Sequence, residues 1–276
     1  VAAEGLVGVA VNNARSNSSI IEVNSETDFV SRGDTFSNLT RSIVESILKH
    51  NQPTFTQTTL NKKLDVEAVK NLTVVNGQTV LASITDAVGK LQENIQLRRA
   101  SMLAVQEGKG VIGTYIHREQ GTTANGISLG HMGALVALEC NIADQKTADE
   151  VTSLANKLAM HIVGYNPKFV TKDQITKDVL KQLEEEFLKK QELDVHGDQN
   201  SRPKFNPNKA SDEITLYEQE YTLNTNKKVH QIISELSKKL GQPVRVSDFI
   251  KFQTGEGIEK KEEDFASEVQ KIVQGQ

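Results

Sequence analysis

Three carboxylates crowd one short stretch of the chain: Glu22, Glu26 and Asp28, in the run EVNSETDFVSRGDTF at residues 22–36. Clustered carboxylates can do general acid–base chemistry. No histidine lies near them in sequence, and carboxylates on a turn are ordinarily solvated, so solvation is the preferred reading. The neighbours of Asp28 are odder. Phe29 and Val30 sit side by side in a polar turn, where the backbone normally needs water around it. Elsewhere the usual motifs are absent. EGKGVIG at residues 107–113 has glycines and a lysine, but not in the order that cradles a phosphate, and reads as a turn entering a strand. The six histidines lack metal spacing, and Cys140 has no nearby cysteine. His161 in LAMHIVG reads as the edge of a packed helix face. Arg98 and Arg99 read as a solvated helix end or a structural ion pair rather than a phosphate site.

The whole chain bounds these options further. Its 276 residues are 37% hydrophobic and 25% charged, ordinary for a globular protein with a real core. A net charge of −4 argues against direct nucleic-acid binding, and tryptophan is absent, so a base-stacking platform is not expected. One cysteine excludes an intrachain disulfide framework and fits a reducing compartment. No apolar run approaches the ~20 residues that span a bilayer. The sequence opens on Val rather than Met and without a basic leader, which leaves a removed leader and a fragment both open.

The elements that must position these residues come next. Residues 5–11 read as a strand, 12–19 as a polar turn and 19–23 as the return strand. A helix is predicted over about 34–49, capped by Asp34 or Thr35, with Leu39, Ile43 and Ile47 as its stripe. The pattern recurs. Residues 110–116 and 133–139 read as strands joined by a polar connection at 117–128. Asp149 is then expected to cap a helix ending near Tyr165-Asn166-Pro167. Both return strands carry a late glutamate. The fold class expected is α+β: two similar hairpin-plus-helix subdomains, at 1–56 and 109–173, each with an apolar sheet face covered by its helix. Residues 57–108 read as a mostly helical connection. Residues 174–213 read as a protruding charged helix followed by a polar loop from 194. Residues 214–276 read as a C-terminal module, with helices near 227–240 and 261–273 and a strand at 244–252.

Several blocks together resemble the elongation factor Ts family, the guanine nucleotide exchange factors of translation elongation factor Tu. They are VAAEGLVGV at the start, EVNSETDFV, ENIQLRR, LAMHIVGYNPKF and TGEGIEKKEEDFASEV, in family order from residue 1 to about 270. Ser25 stands where the family has cysteine. The family's N-terminal three-helix domain is not seen ahead of residue 1, which puts that docking contact in doubt, and the protrusion looks short.

The resemblance implies a function and its residues. Asp28 and Phe29, flanked by Thr27 and Val30, are expected to enter the partner's nucleotide domain beside its magnesium site, the ring lodging between helices. A second contact is expected from Met132 and Gly133 with His161, and a third from Thr222 and Leu223. Asp28 either perturbs the metal shell or bonds backbone amides; both stay open. The implied protein is not an enzyme, needs no cofactor or metal, and binds no nucleotide, nucleic acid or membrane itself. Two alternatives are a carboxylate enzyme and a module that docks on the GTPase without exchanging its nucleotide. The missing Met, the short protrusion and an Asn-rich sequence point to the mitochondrial matrix, with the bacterial cytoplasm as the alternative.

Overall fold

The computed structural model describes residues 2–121, 123–193 and 203–258. Strands β1 (Glu4–Val11) and β2 (Asn17–Ser25) form the predicted antiparallel hairpin. A single turn, α1 (Asp28–Ser31), leads into α2 (Asp34–His50). Gly33 rather than Asp34 or Thr35 caps α2; Asp34 instead places its charge in the first turn, where the helix dipole favours it. Next come β3 (Thr59–Leu64), α3 (Val66–Lys70), α4 (Val80–Leu91) and β4 (Gln96–Val105). The second unit follows with β5 (Gly110–His117), β6 (Ile127–Gly130), β7 (Met132–Glu139) and α5 (Gln145–Tyr165). The cap of α5 is Asp144, which accepts from the Thr147 amide at 2.7 Å, so the helix starts a turn earlier than Asp149 implies. Helices α6 (Lys177–Leu193) and α7 (Pro207–Ile214) follow. The hairpin β8 (Glu220–Tyr221) and β9 (Asn224–Lys228), helix α8 (Val229–Leu240) and strand β10 (Arg245–Gln253) complete the described chain.

Two sheets lie back to back between helices. The larger has the order β3-β4-β2-β1-β6 and the smaller β10-β7-β5. On β1 the side chains alternate between two cores, as strand geometry requires. Leu6 and Ala10 face α2 and α4, packing with Phe36, Ile43, Ile47 and Ile84. Val7 and Val9 face the other sheet, packing with Ile112, Leu135 and Ala137. The outer face of the smaller sheet, Ala134, Val136 and Leu138, is covered by Leu158 and Ile162 of α5 and joined by Val229 and Ile233 of α8. The result is a helix–sheet–sheet–helix stack of the α+β class.

Paired glycines carry the internal repeat. Gly5 and Gly110 open their strands at φ +144° and +158°, and a Cβ on either would lie 2.1 or 2.2 Å from a carbonyl oxygen of the return strand. Only glycine fits there. Three residues on, Gly8 and Gly113 admit the covering helix, against Thr40 of α2 and Ala155 of α5. The two late glutamates are not equivalent. Gly5 pairs with Asn24 and Gly110 with Glu139, so Glu22 sits two residues out of step with Glu139.

Four segments differ from expectation, one of them the β8–β9 hairpin, which no strand pattern in residues 214–228 announced. Residues 57–108 are not mostly helical, because β3 and β4 join the large sheet there. The polar connection at 117–128 runs into β6, which pairs with β1. Of the expected polar loop, residues 207–213 are helical: Asn206 caps α7 and Pro207 occupies its first turn. Helix α7 runs back along α6, with the Phe187 and Phe205 rings 5.6 Å apart and Gln191 donating to the Pro203 carbonyl at 2.6 Å. Residues 194–202 and the helix expected at 261–273 lie outside the described residues.

Candidate exchange interface

Thr27 starts the turn. Its backbone is extended, and its hydroxyl accepts from the Val30 amide at 3.3 Å, capping the single turn of α1. Val30 is 6% exposed and anchors the turn in the core, whereas Phe29 is 83% exposed. Helical geometry produces that split: adjacent side chains on one turn point about 100° apart, so one can be buried while its neighbour projects. Asp28 pairs with Arg32 at 2.9 Å, both side chains exposed, which contributes little to stability. Around Phe29 the surface is a shallow concavity of about 500 Å³ that includes Leu91.

Two residues overlooked in the sequence hold this turn from outside. Glu93 Oε2 accepts the amides of Glu26 and Thr27 at 3.2 and 3.1 Å, and its Oε1 accepts the Thr27 hydroxyl at 2.5 Å. Gln120 donates to the Ser31 carbonyl at 2.9 Å and the Ser37 hydroxyl at 2.7 Å. Both lie far along the chain in polar loops, and no local pattern points to either.

The three carboxylates that opened the enzyme alternative are each committed elsewhere. Glu22 is fully buried. It takes a forked pair of bonds from Arg98 at 3.0 and 3.1 Å, one from Arg99 at 2.6 Å, and the Gly255 amide at 2.8 Å. Arg98 and Arg99 thus form structural ion pairs with Glu22, on strand β4 rather than at a helix end. Arg99 also lies 4.1 Å over the Phe252 ring. Glu26 accepts the Asn94 amide at 3.3 Å, and Asp28 holds Arg32.

The second and third expected contacts converge on one groove. Met132 and Thr222 both line a concavity of about 550 Å³, with Tyr115, Met160, Tyr165 and Lys251. Thr222-Leu223 is the tip of the β8–β9 hairpin, and Leu223 is 54% exposed. Two expectations change. Gly133 is buried between the sheets, where a Cβ would meet Ile116, Val7 and Val9 at 2.8–3.2 Å; it makes room for packing and offers no surface. His161 is 0% exposed beneath the groove, its ring stacked on Tyr165 at 4.5 Å. It touches the hairpin rather than the outside, which restores the packed-face reading.

The hydrogen bonds fix the tautomer of His161. Nε2 faces Gln219 Oε1 at 2.9 Å, an acceptor whose orientation is set because its amide nitrogen donates to the Glu213 carbonyl at 2.6 Å. Nε2 therefore carries the proton. Nδ1 accepts from the Thr222 amide at 3.3 Å and lies 3.0 Å from the Thr222 hydroxyl. Burial lowers the His161 pKa below its ordinary value, only partly offset by the Gln219 bond, so the neutral ring is the folded form.

Known proteins match this sequence along nearly its whole length. The pattern defining the family described as "Elongation factor TS" matches residues 26–256. Proteins named elongation factor Ts from Bradyrhizobium sp. (strain ORS 278), Rhodospirillum rubrum and Brucella anthropi are 35%, 34% and 33% identical to the chain. The alignments cover 98%, 97% and 99% of this chain and 80%, 80% and 82% of those proteins. All three are bacterial, and none speaks for a mitochondrial location. The chain belongs to the elongation factor Ts family.

Proposed function

We propose that the protein is a guanine nucleotide exchange factor that binds translation elongation factor Tu and drives GDP release by inserting Asp28 and Phe29 near its Mg²⁺ and phosphates. The observation that carries this reading is the 83% exposure of Phe29 on a turn whose next residue is buried. A monomer gains nothing from a solvated phenyl ring. A partner gains ~1.5–3 kcal/mol by burying it, at little rotamer cost. That energy can be set against the partner's hold on nucleotide. Whatever coupling the factor exerts on GDP, GDP exerts on the factor, so release and later displacement by GTP are one equilibrium. No covalent step is involved.

Met132, Thr222 and Leu223 extend the proposed interface through the groove. His161 and Gly133 support it from below, His161 by holding Thr222 and Gly133 by letting the two sheets approach. Location belongs to the same proposal: the bacterial relatives favour the bacterial cytoplasm over the mitochondrial matrix.

The test is release of fluorescent mant-GDP from elongation factor Tu. The chain accelerates release, and Phe29→Ala lowers that acceleration by at least about tenfold, the lower end of the ring's burial energy. Unchanged acceleration in the variant removes Phe29 from the mechanism. Binding without any acceleration by the wild-type chain identifies a docking module instead.

A further inference from the structure

We infer that Glu93, in the linker between α4 and β4, is a positioning residue for exchange: it holds the Thr27–Ser31 turn in the one conformation that presents Phe29. The inference rests on the exchange reading above.

A four-residue helix has no stability of its own, because one turn fixes several dihedral angles for one or two hydrogen bonds. The exposed ring cannot order it; Val30 and the buried Ser31 fix its centre, and Gln120 holds its exit through the Ser31 carbonyl. The entry rests on the Ser25 hydroxyl, which donates to the Thr27 carbonyl at 3.1 Å, and on the Glu93 clasp. The Glu93 carboxylate takes both free amides entering the turn, Glu26 and Thr27, on one oxygen. Its other oxygen takes the proton of the Thr27 hydroxyl, which leaves that hydroxyl's lone pair for the Val30 amide. The cap of α1 is therefore oriented by Glu93. Glu26 returns the contact by accepting the Asn94 amide, so the two loops grip each other in both directions.

The bonds are at the surface, where each adds little net stability to the fold. Their effect belongs to binding. A turn ordered beforehand does not have to be ordered when the ring inserts, and that ordering would otherwise be subtracted from affinity. Glutamine cannot replace the clasp fully. Its single oxygen can serve the amides, but its NH₂ cannot accept the Thr27 hydroxyl proton.

The experiment compares the full chain with Glu93→Ala, Glu93→Gln and Phe29→Ala, measuring mant-GDP release from elongation factor Tu and amide hydrogen exchange in the free chain. For Glu93→Ala, release efficiency falls about tenfold, as expected for a lost preorganising contact set, with the thermal midpoint nearly unchanged. Amide exchange accelerates at residues 26–31 and nowhere else. Glu93→Gln lies between the two. Wild-type release with Glu93→Ala overturns the inference. So does reduced release with unchanged protection at residues 26–31, which would mean that Glu93 touches the partner itself. If Phe29→Ala releases GDP like wild type, the exchange reading falls and takes this inference with it. If Phe29→Ala fails and Glu93→Ala does not, only the inference falls.

Discussion

Phe29 and His161 mark opposite ends of what single residues disclose. The ring of Phe29 was legible because it broke a rule: a large apolar side chain in a polar turn has nowhere local to go. Its substitution by alanine should leave stability within about 0.5 kcal/mol while lowering the acceleration of exchange by at least about tenfold, since an exposed side chain supports no packing. His161 broke no rule, and its surroundings come from Gln219 and Thr222, some sixty residues away. Its effect shows in pH. An unfolded histidine titrates near 6.5, while the buried ring titrates lower. Between those values the unfolded chain binds the extra proton, so this contribution is complete above about pH 6.5 and is lost as pH falls toward the folded pKa. Burial and the nearby Arg118 lower His131 too, adding a slope of the same sign. The unfolding midpoint of wild type therefore drops between about pH 7.5 and 5.5, and His161→Gln drops less, because one of two contributing protons is gone. An equal drop in both would show that His161 is not the titrating group. Protonation also sets an Nδ1 proton against the Thr222 amide, so the hairpin tip is the first place the acid effect should appear in amide exchange.

Among the elements, the helices with apolar stripes were readable, whereas β3, β4, β6 and the short β8–β9 hairpin were not. β4 (QLRRASMLAV) lies between β3 and β2 with both faces covered, so it lacks the alternation that signals a strand, and Ala, Met and Leu favour a helix in isolation. β3 (TLNKKL) is an edge strand whose lysines discourage further pairing but also hide it in a sequence. β6 has four residues, too few for periodicity to register. The glycine rhythm was legible, and it yields a comparison. An alanine Cβ at Gly113 would lie 2.2 Å from the Ala155 backbone, whereas at Gly8 its nearest neighbours are side-chain tips at 3.2–3.3 Å. Gly113→Ala should therefore cost about 3 kcal/mol and Gly8→Ala about 1, because side-chain ends can shift and a helix backbone cannot. Urea midpoints measure both, and equal losses would contradict the close helix approach.

On the scale of the whole molecule, the repeat predicted two subdomains, and the strands cross that boundary. β6 comes from the second unit yet completes the first unit's sheet, and Val7 and Val9 pack against Leu135 and Ala137. Pattern reading missed this because a strand's two faces look alike when both are apolar. It follows that chains cut between residues 107 and 110 should each lack ordered structure when expressed alone, and should yield one soluble complex when expressed together. Circular dichroism and gel filtration of the pieces decide it; a folded monomeric first half would show that the inter-sheet layer is dispensable.

That layer also sets a schedule for the chain as it leaves the ribosome. The inner faces of β1 and β2 emerge more than a hundred residues before β7 arrives to shield them, roughly ten seconds at ordinary elongation speeds. For that interval the nascent protein displays a bare valine-rich sheet, the kind of surface that chaperones hold and crowded polysomes fuse. A factor that serves protein synthesis thus depends, during its own birth, on how quickly that synthesis runs.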